Sequence, residues 1–176
     1  MQNPFTLTFG KSPLEPIERP LQTMEIVDTF TAETVNQQMF IITGVQGSGK
    51  TVMMTEIARR LREREDWVVI ELNPATDLLQ GMLAKLNSNK VCAAIIKSAK
   101  IHLSFFGFGV AIEGVPPLTD TETAIITILE KLKKQDKRLL ITIDEVTNND
   151  YMKVFAGSFQ IFVRQDLPVF LLATGL

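Results

Sequence analysis

Short apolar runs alternate with stretches of helical periodicity along most of this chain. Four runs that contain few or no polar positions predict buried strands, because a strand exposed on one face alternates apolar and polar residues. We expect the first of these strands to be buried on both faces. The four predicted strands are residues 39–42, 67–70, 139–143 and 169–173.

Between the apolar runs, apolar residues recur every three or four positions, which predicts amphipathic helices. The helix near residue 120 is expected to begin at a capping box, with Thr119 at its start and Glu122 three residues later. The predicted helices are residues 21–34, 50–64, 78–86, 91–100, 119–132 and 152–162.

Residues 101–112 interrupt this alternation with phenylalanines and two glycines, and they predict a hairpin or an irregular insert. Phe105, Phe106 and Phe108 could be stacking platforms for single-stranded nucleic acid. No Lys or Arg lies between residues 101 and 121, however, so we favour burial of these rings within a hairpin.

The alternation of strands and helices indicates the fold class. It predicts an α/β domain with a mainly parallel sheet covered on both faces, because parallel strands need helical crossovers. Ligands of such sheets bind beyond the carboxyl ends of the strands. The chain divides into a proline-rich, extended arm at residues 1–20 and a single core at residues 21–176.

Composition and charge narrow the classes of function. With 18 Lys and Arg against 20 Asp and Glu, no overall positive charge draws the chain to nucleic acid or anionic lipid. A single cysteine, Cys92, excludes an internal disulfide, and with a single histidine, His102, it argues against a Cys/His metal site. The sequence shows no signal peptide and no apolar stretch long enough to span a bilayer, so we expect a cytoplasmic protein with no membrane partner.

The strongest chemical signal follows the first predicted strand and opens the next helix. Eight residues match the complete P-loop pattern: Gly44, Val45, Gln46, Gly47, Ser48, Gly49, Lys50 and Thr51. Glycines let backbone amides turn toward a triphosphate, and the helix presents its positive end to it. Lys50 is placed to neutralise the β and γ phosphates, and the Thr51 hydroxyl is placed to ligate Mg²⁺. We therefore predict that these eight residues bind ATP.

Two acidic residues, Asp144 and Glu145, end the third predicted strand. Alone, two carboxylates at this position could be a solvated turn. In a chain that also contains a P-loop, these two carboxylates match the pair that a nucleotide-hydrolysing site needs. Asp144 would hold Mg²⁺ opposite Thr51, and Glu145 would orient and deprotonate the attacking water.

The last predicted strand delivers Thr174 to the same edge of the sheet. A polar residue there could lie beside the γ-phosphate and act in catalysis by reporting whether the nucleotide is intact. A plain strand cap is the alternative for Thr174.

These motifs resemble the AAA+ and related STAND-type ATPases, and the resemblance covers almost the whole chain. It implies a three-layer αβα P-loop NTPase sandwich of the ASCE, AAA+-like kind. The first residues are similar to an arm that precedes the core in a bacterial and archaeal branch, where a Gly-Arg-Glu box lies near the adenine. Glu18 and Arg19 stand at that place, although the glycine is missing. The resemblance therefore implies a nucleotide contact for Arg19.

The resemblance also implies a fifth strand beside the P-loop strand and a helical lid that carries an arginine. Neither is found before Leu176, so we expect an amino-terminal core that lacks its last strand and its lid, with the P-loop strand left at an edge of the sheet. Such a core alone is expected to hydrolyse ATP weakly, because an arginine supplied from a lid or a neighbouring subunit contributes several orders of magnitude in rate.

We therefore predict Mg-dependent ATP hydrolysis that drives conformational change in a larger AAA+-type protein. The alternative is a slow-hydrolysing, nucleotide-gated switch of the STAND kind. A kinase is disfavoured because Glu145 suits the activation of water. A GTPase is disfavoured because the sequence lacks the segment that reads guanine, and an ABC transporter subunit is disfavoured because its signature segment is also absent. The expected partners are ATP and ADP, further domains of the same protein and other subunits, with nucleic acid contacted only through such domains.

Overall fold

The computed structural model describes residues 20–108, 114 and 116–175, and it contains six helices and four strands within those ranges. The strands are β1 (Met39–Thr43), β2 (Trp67–Leu72), β3 (Arg138–Ile143) and β4 (Val169–Gly175). The helices are α1 (Pro20–Thr31), α2 (Lys50–Arg62), α3 (Leu78–Ser88), α4 (Lys90–Ser98), α5 (Thr121–Lys133) and α6 (Asp150–Arg164). Most of the predicted elements are therefore present, with ends that differ by a few residues.

The four strands form one parallel sheet in the order β1-β4-β3-β2. Ala173 of β4 is in register with both Ile41 of β1 and Ile143 of β3. The carboxyl ends of these three strands therefore meet at one edge of the sheet, which is where the sequence predicts the chemistry.

Helices cover the sheet on both faces. The smaller core joins α1 and α2 to one face through residues such as Phe30, Ile57, Leu61, Leu140 and Leu172. The larger core joins the other four helices to the opposite face through residues such as Met82, Ile125, Leu129, Ile141 and Phe162. These two cores confirm the predicted three-layer α/β fold.

Burial along the strands follows their place in the sheet. Leu139, Leu140 and Ile141 of the central strand β3 are fully buried, as predicted. The prediction that the first strand is buried on both faces is wrong, because Met39 and Ile41 of β1 are 45% and 53% exposed. β1 lies at an edge of the described sheet, and α6 leaves a groove of about 780 Å³ beside it.

Side-chain caps define where several helices begin. Asp120 caps α5 by accepting a hydrogen bond from the Thr123 amide at 2.7 Å. The cap therefore lies one residue later than the predicted box at Thr119, and Glu122 instead accepts a hydrogen bond from the Ser158 hydroxyl at 2.5 Å. Hydrogen bonds from the side chain and backbone of Thr123 lower the pKa of Asp120.

Over residues 101–108 the segment after α4 is irregular, which is one of the two predicted alternatives, and it is not a hairpin. Ile101 and Leu103 are buried, and Ser104–Phe106 form a single 3₁₀ turn. Phe105 is 63% exposed, so its predicted burial is wrong. The rest of the predicted insert, residues 109–112, lies outside the described residues.

An aromatic cluster closes the amino-terminal end of the sheet. Trp67 is the single tryptophan of the chain. The centroid of its ring lies 4.9 Å from that of Phe170 and 6.4 Å from that of Phe30. The Arg138 guanidinium lies 5.8 Å from the Trp67 ring, and it also donates to the Phe30 carbonyl at 2.7 Å. Arg138 therefore joins β3 to the end of α1 through a cation–π contact and a hydrogen bond.

None of the helices in the described ranges has the length and apolar character needed to cross a bilayer.

Cys92 lies fully buried in α4, and burial raises the pKa of its thiol to about 12. The thiolate is the reactive form, so the folded chain is expected to resist a thiol reagent such as DTNB near pH 8 and to react only after unfolding. The rate of thiol modification in native buffer and in denaturant measures this difference. Rapid modification of the native chain would contradict the buried position.

Candidate active site

The P-loop segment, residues 44–51, connects β1 to α2 at the carboxyl edge of the sheet. Gly47 and Gly49 have φ angles of 77° and 83°, and Gly49 is the residue that precedes α2. A Cβ at either position would meet no atom within 4 Å, so the backbone angle rather than crowding requires glycine. Val45 and Gln46 of the same turn are exposed.

Lys50 reaches back over this turn. Its Nζ donates to the carbonyl oxygens of Gly44 at 2.6 Å and Val45 at 3.0 Å. An ammonium group has three donors, so these two bonds hold its position while one donor remains for an anion. The contacts keep the charge of Lys50 beside the amides of the P-loop segment.

The two predicted metal ligands lie together. Thr51, in the first turn of α2, donates from Oγ1 to the Asp144 carboxylate, with oxygen distances of 3.0 and 3.2 Å. They are 93 residues apart in the sequence, and the sheet brings them together because β1 and β3 flank β4. A hydroxyl and a carboxylate are oxygen ligands of the kind that Mg²⁺ prefers.

Thr174 is fully buried at the end of β4, between the P-loop strand and the strand that carries Asp144. Its hydroxyl donates to Asp144 Oδ1 and accepts from the Glu145 amide at 2.8 Å. Its carbonyl accepts from the Val146 amide, also at 2.8 Å. Thr174 therefore orients a predicted metal ligand and the backbone of the predicted base.

Glu145 has a left-handed backbone conformation, with φ of 54°. This conformation costs a non-glycine residue about 1–2 kcal/mol, and it persists where the surroundings fix it. Here the hydrogen bonds to Thr174 hold the turn, and the Glu145 side chain is exposed beside Asp144. No pattern in the sequence indicates this conformation.

Asn149 is a residue near the site that the sequence did not single out. Its side chain caps α6, and it also donates to the Pro74 carbonyl in the loop after β2 at 2.8 Å. A cavity of about 490 Å³ lies beside Pro74, and its lining also includes Glu71 of β2, Lys85 of α3 and Asp144. The sequence Asn149-Asp150 before a helix is a capping signal, but the contact with Pro74 depends on the fold.

The structure thus brings the P-loop segment, Asp144, Glu145 and Thr174 to one edge of the sheet. The remaining predicted contact, Arg19, lies outside the described residues.

One solved structure with a similar fold is the crystal structure of Cdc6p from Pyrobaculum aerophilum. The comparison gives a TM-score of 0.54 at 15% sequence identity, and it covers 96% of this chain and 41% of that one. This chain therefore spans about two fifths of the length of that protein. The similarity shows the AAA+-type fold that the sequence predicts.

Comparison with curated proteins finds no match. A family model does match, over residues 24–162, which is more than half of the 176-residue chain. That family is described as an ATPase domain predominantly from Archaea. The matched range contains the P-loop segment and the Asp144-Glu145 pair. The chain therefore belongs to this ATPase family, and it has the P-loop motif and the AAA+-type fold described above.

Proposed function

We propose that this chain binds ATP with Mg²⁺ at the carboxyl edge of the sheet and hydrolyses it. The observation that carries the proposal is the pair formed by the Thr51 hydroxyl and the Asp144 carboxylate, 3.0 Å apart beside the glycine turn and Lys50. Residues of these types at this place fit a triphosphate and its cation.

The P-loop segment would hold the phosphates. The amides that follow Gly47 and Gly49 turn with the backbone at positive φ, and α2 directs the positive end of its dipole to the same point. Lys50 adds a full positive charge to this donor set. Dense negative charge is therefore favoured here over a neutral ligand.

Thr51 and Asp144 would hold the Mg²⁺ ion, which supplies neutralisation of the charge on the phosphate oxygens. Their existing contact supports this assignment, because the hydroxyl oxygen and the carboxylate oxygens already lie 3.0 and 3.2 Å apart. Thr174 keeps Asp144 in that orientation through its hydroxyl.

Glu145 would serve as the general base. A water oxygen bonds to the γ-phosphorus, the bond from that phosphorus to the β–γ bridging oxygen breaks, and ADP leaves with that electron pair. The Glu145 carboxylate accepts a proton of the water as this happens. Its exposed position beside Asp144 leaves room for a water molecule.

Binding of Mg·ATP is expected to raise the melting temperature of the chain. A ligand at one hundred times its Kd adds about 2.7 kcal/mol to the free energy of unfolding. For a chain of this size that corresponds to roughly 5–10 °C. Scanning calorimetry with Mg·ATP measures the shift, with ATP plus EDTA as the control. No rise at millimolar Mg·ATP would refute the proposed binding site.

The cycle is further proposed to change the relative positions of other parts of a larger protein. The support is the length comparison, because the similar solved protein is more than twice as long as this chain. Other domains or subunits would then be the partners that receive the change.

A further inference from the structure

The loop that carries Glu145, residues 144–149, is held at both of its ends. At the first end, Thr174 binds the amides of Glu145 and Val146 at 2.8 Å each. At the second end, Asn149 makes contacts in two directions. Glu145, with its strained backbone, lies at the first end, and Asn149 lies four residues later at the second.

The side chain of Asn149 uses both of its polar atoms. Oδ1 accepts from the Met152 amide at 2.8 Å and so caps α6. Nδ2 donates to the Pro74 carbonyl at 2.8 Å and to the Thr147 hydroxyl at 3.1 Å. The capping bond is local, whereas the bond to Pro74 joins residues that are 75 positions apart.

The amide makes both contacts because it carries an acceptor and a donor on separate atoms. Asp or Ser would accept from the Met152 amide equally well, because both are good caps. An ionised carboxylate has no donor for the Pro74 carbonyl, and it would repel that oxygen. The two roles of Asn149 can therefore be separated by a single substitution.

We propose that Asn149 is a positioning residue, which holds the Glu145 loop against the loop after β2 and so supports, together with Thr174, the left-handed conformation of Glu145. This inference rests on the proposed role of Glu145 as base. A strained conformation persists only where several contacts fix it. Loss of the second anchor lets the Glu145 carboxylate move relative to Asp144, while the P-loop segment is unchanged.

The test is Asn149→Asp in the full chain, with Asn89→Asp as the matched control. Asn89 also caps a helix, by accepting from the Val91 and Cys92 amides, and it lies in the connection between α3 and α4. Asn149→Asp is expected to lower kcat on the order of tenfold, since small misplacement of a catalytic group has effects of that size or larger. The KM for ATP and the melting temperature should stay close to those of the wild type and of Asn89→Asp.

A readout that does not need turnover accompanies the kinetics. Hydrogen exchange of the Glu145 and Val146 amides should become faster in Asn149→Asp, while the Met152 amide stays protected by the new cap. Unchanged exchange at Glu145 and Val146 overturns the proposal whatever the kinetics show, and so does a wild-type kcat in Asn149→Asp.

Failure of the proposed function would look different. If the wild type turns over no faster than Glu145→Gln, then hydrolysis through Glu145 is disproved. The anchoring role of Asn149 is then decided by the exchange rates alone.

Discussion

Glu145→Gln is expected to lower single-turnover ATP hydrolysis by about two to four orders of magnitude, the usual contribution of a general base. Glutamine keeps the size of the side chain but cannot accept the proton. The backbone bond from the residue 145 amide to Thr174 Oγ1 does not involve the side chain, so the local conformation should persist. Affinity for Mg·ATP should therefore stay within a few fold of the wild-type value.

The measurement uses radiolabelled ATP with the chain in excess, because a single turnover detects slow hydrolysis. Glu130→Gln is the matched control, since Glu130 is an exposed carboxylate on α5. A Glu145→Gln variant that hydrolyses ATP at the wild-type rate would exclude Glu145 as the base. A wild-type chain that binds ATP but turns over no faster than the variant would favour the nucleotide-gated switch.

Lys50→Ala is expected to weaken ATP binding by about 2 kcal/mol or more, roughly thirtyfold in Kd, because a charge-assisted contact with phosphate is lost. The substitution also removes the two bonds from Nζ to the carbonyls of Gly44 and Val45. Lys50→Met keeps most of the side-chain length without any donor, so it separates loss of charge from loss of bulk.

Titration calorimetry with ATP measures the change, and AMP provides a second comparison. Without β and γ phosphates, AMP should bind the wild type and Lys50→Ala with similar affinity. Equal ATP affinity in the wild type and both variants would contradict the assignment of Lys50. Lys97→Ala, at a distant exposed lysine of α4, is the control for charge at the surface.

Local patterns were enough to predict most of the fold and the P-loop segment. A strand, a glycine turn and a helix follow one another without a break, so each supports the interpretation of the next. The meeting of Thr51 with the Asp144 carboxylate was also predictable, although 93 residues separate them. The carboxyl ends of parallel strands share one edge of a sheet, and this rule brings together residues that are far apart in the sequence.

Features that depend on tertiary neighbours were not predictable. The exposure of Ile41 follows from the place of β1 at the sheet edge, which the family resemblance implied but the apolar run at residues 39–42 does not specify. The contact of Asn149 with Pro74 needs two loops to approach each other. The left-handed backbone of Glu145 depends on hydrogen bonds that the loop amides donate to Thr174, at the end of another strand.

The aromatic cluster around Trp67 has a consequence for optical experiments. Trp67 is the first of the six residues of β2, and the nucleotide is proposed to bind at the opposite end of the strands. At about 3.3 Å per residue, the length of β2 is roughly 20 Å. The buried indole, packed beside Phe30 and Phe170 with the Arg138 guanidinium against its ring, is shielded from water, and its emission should shift to longer wavelength when the chain unfolds. Because the ring is so far from the phosphates, its emission should change little on nucleotide addition. The chain therefore contains a natural fluorophore that reports unfolding separately from occupancy of the site.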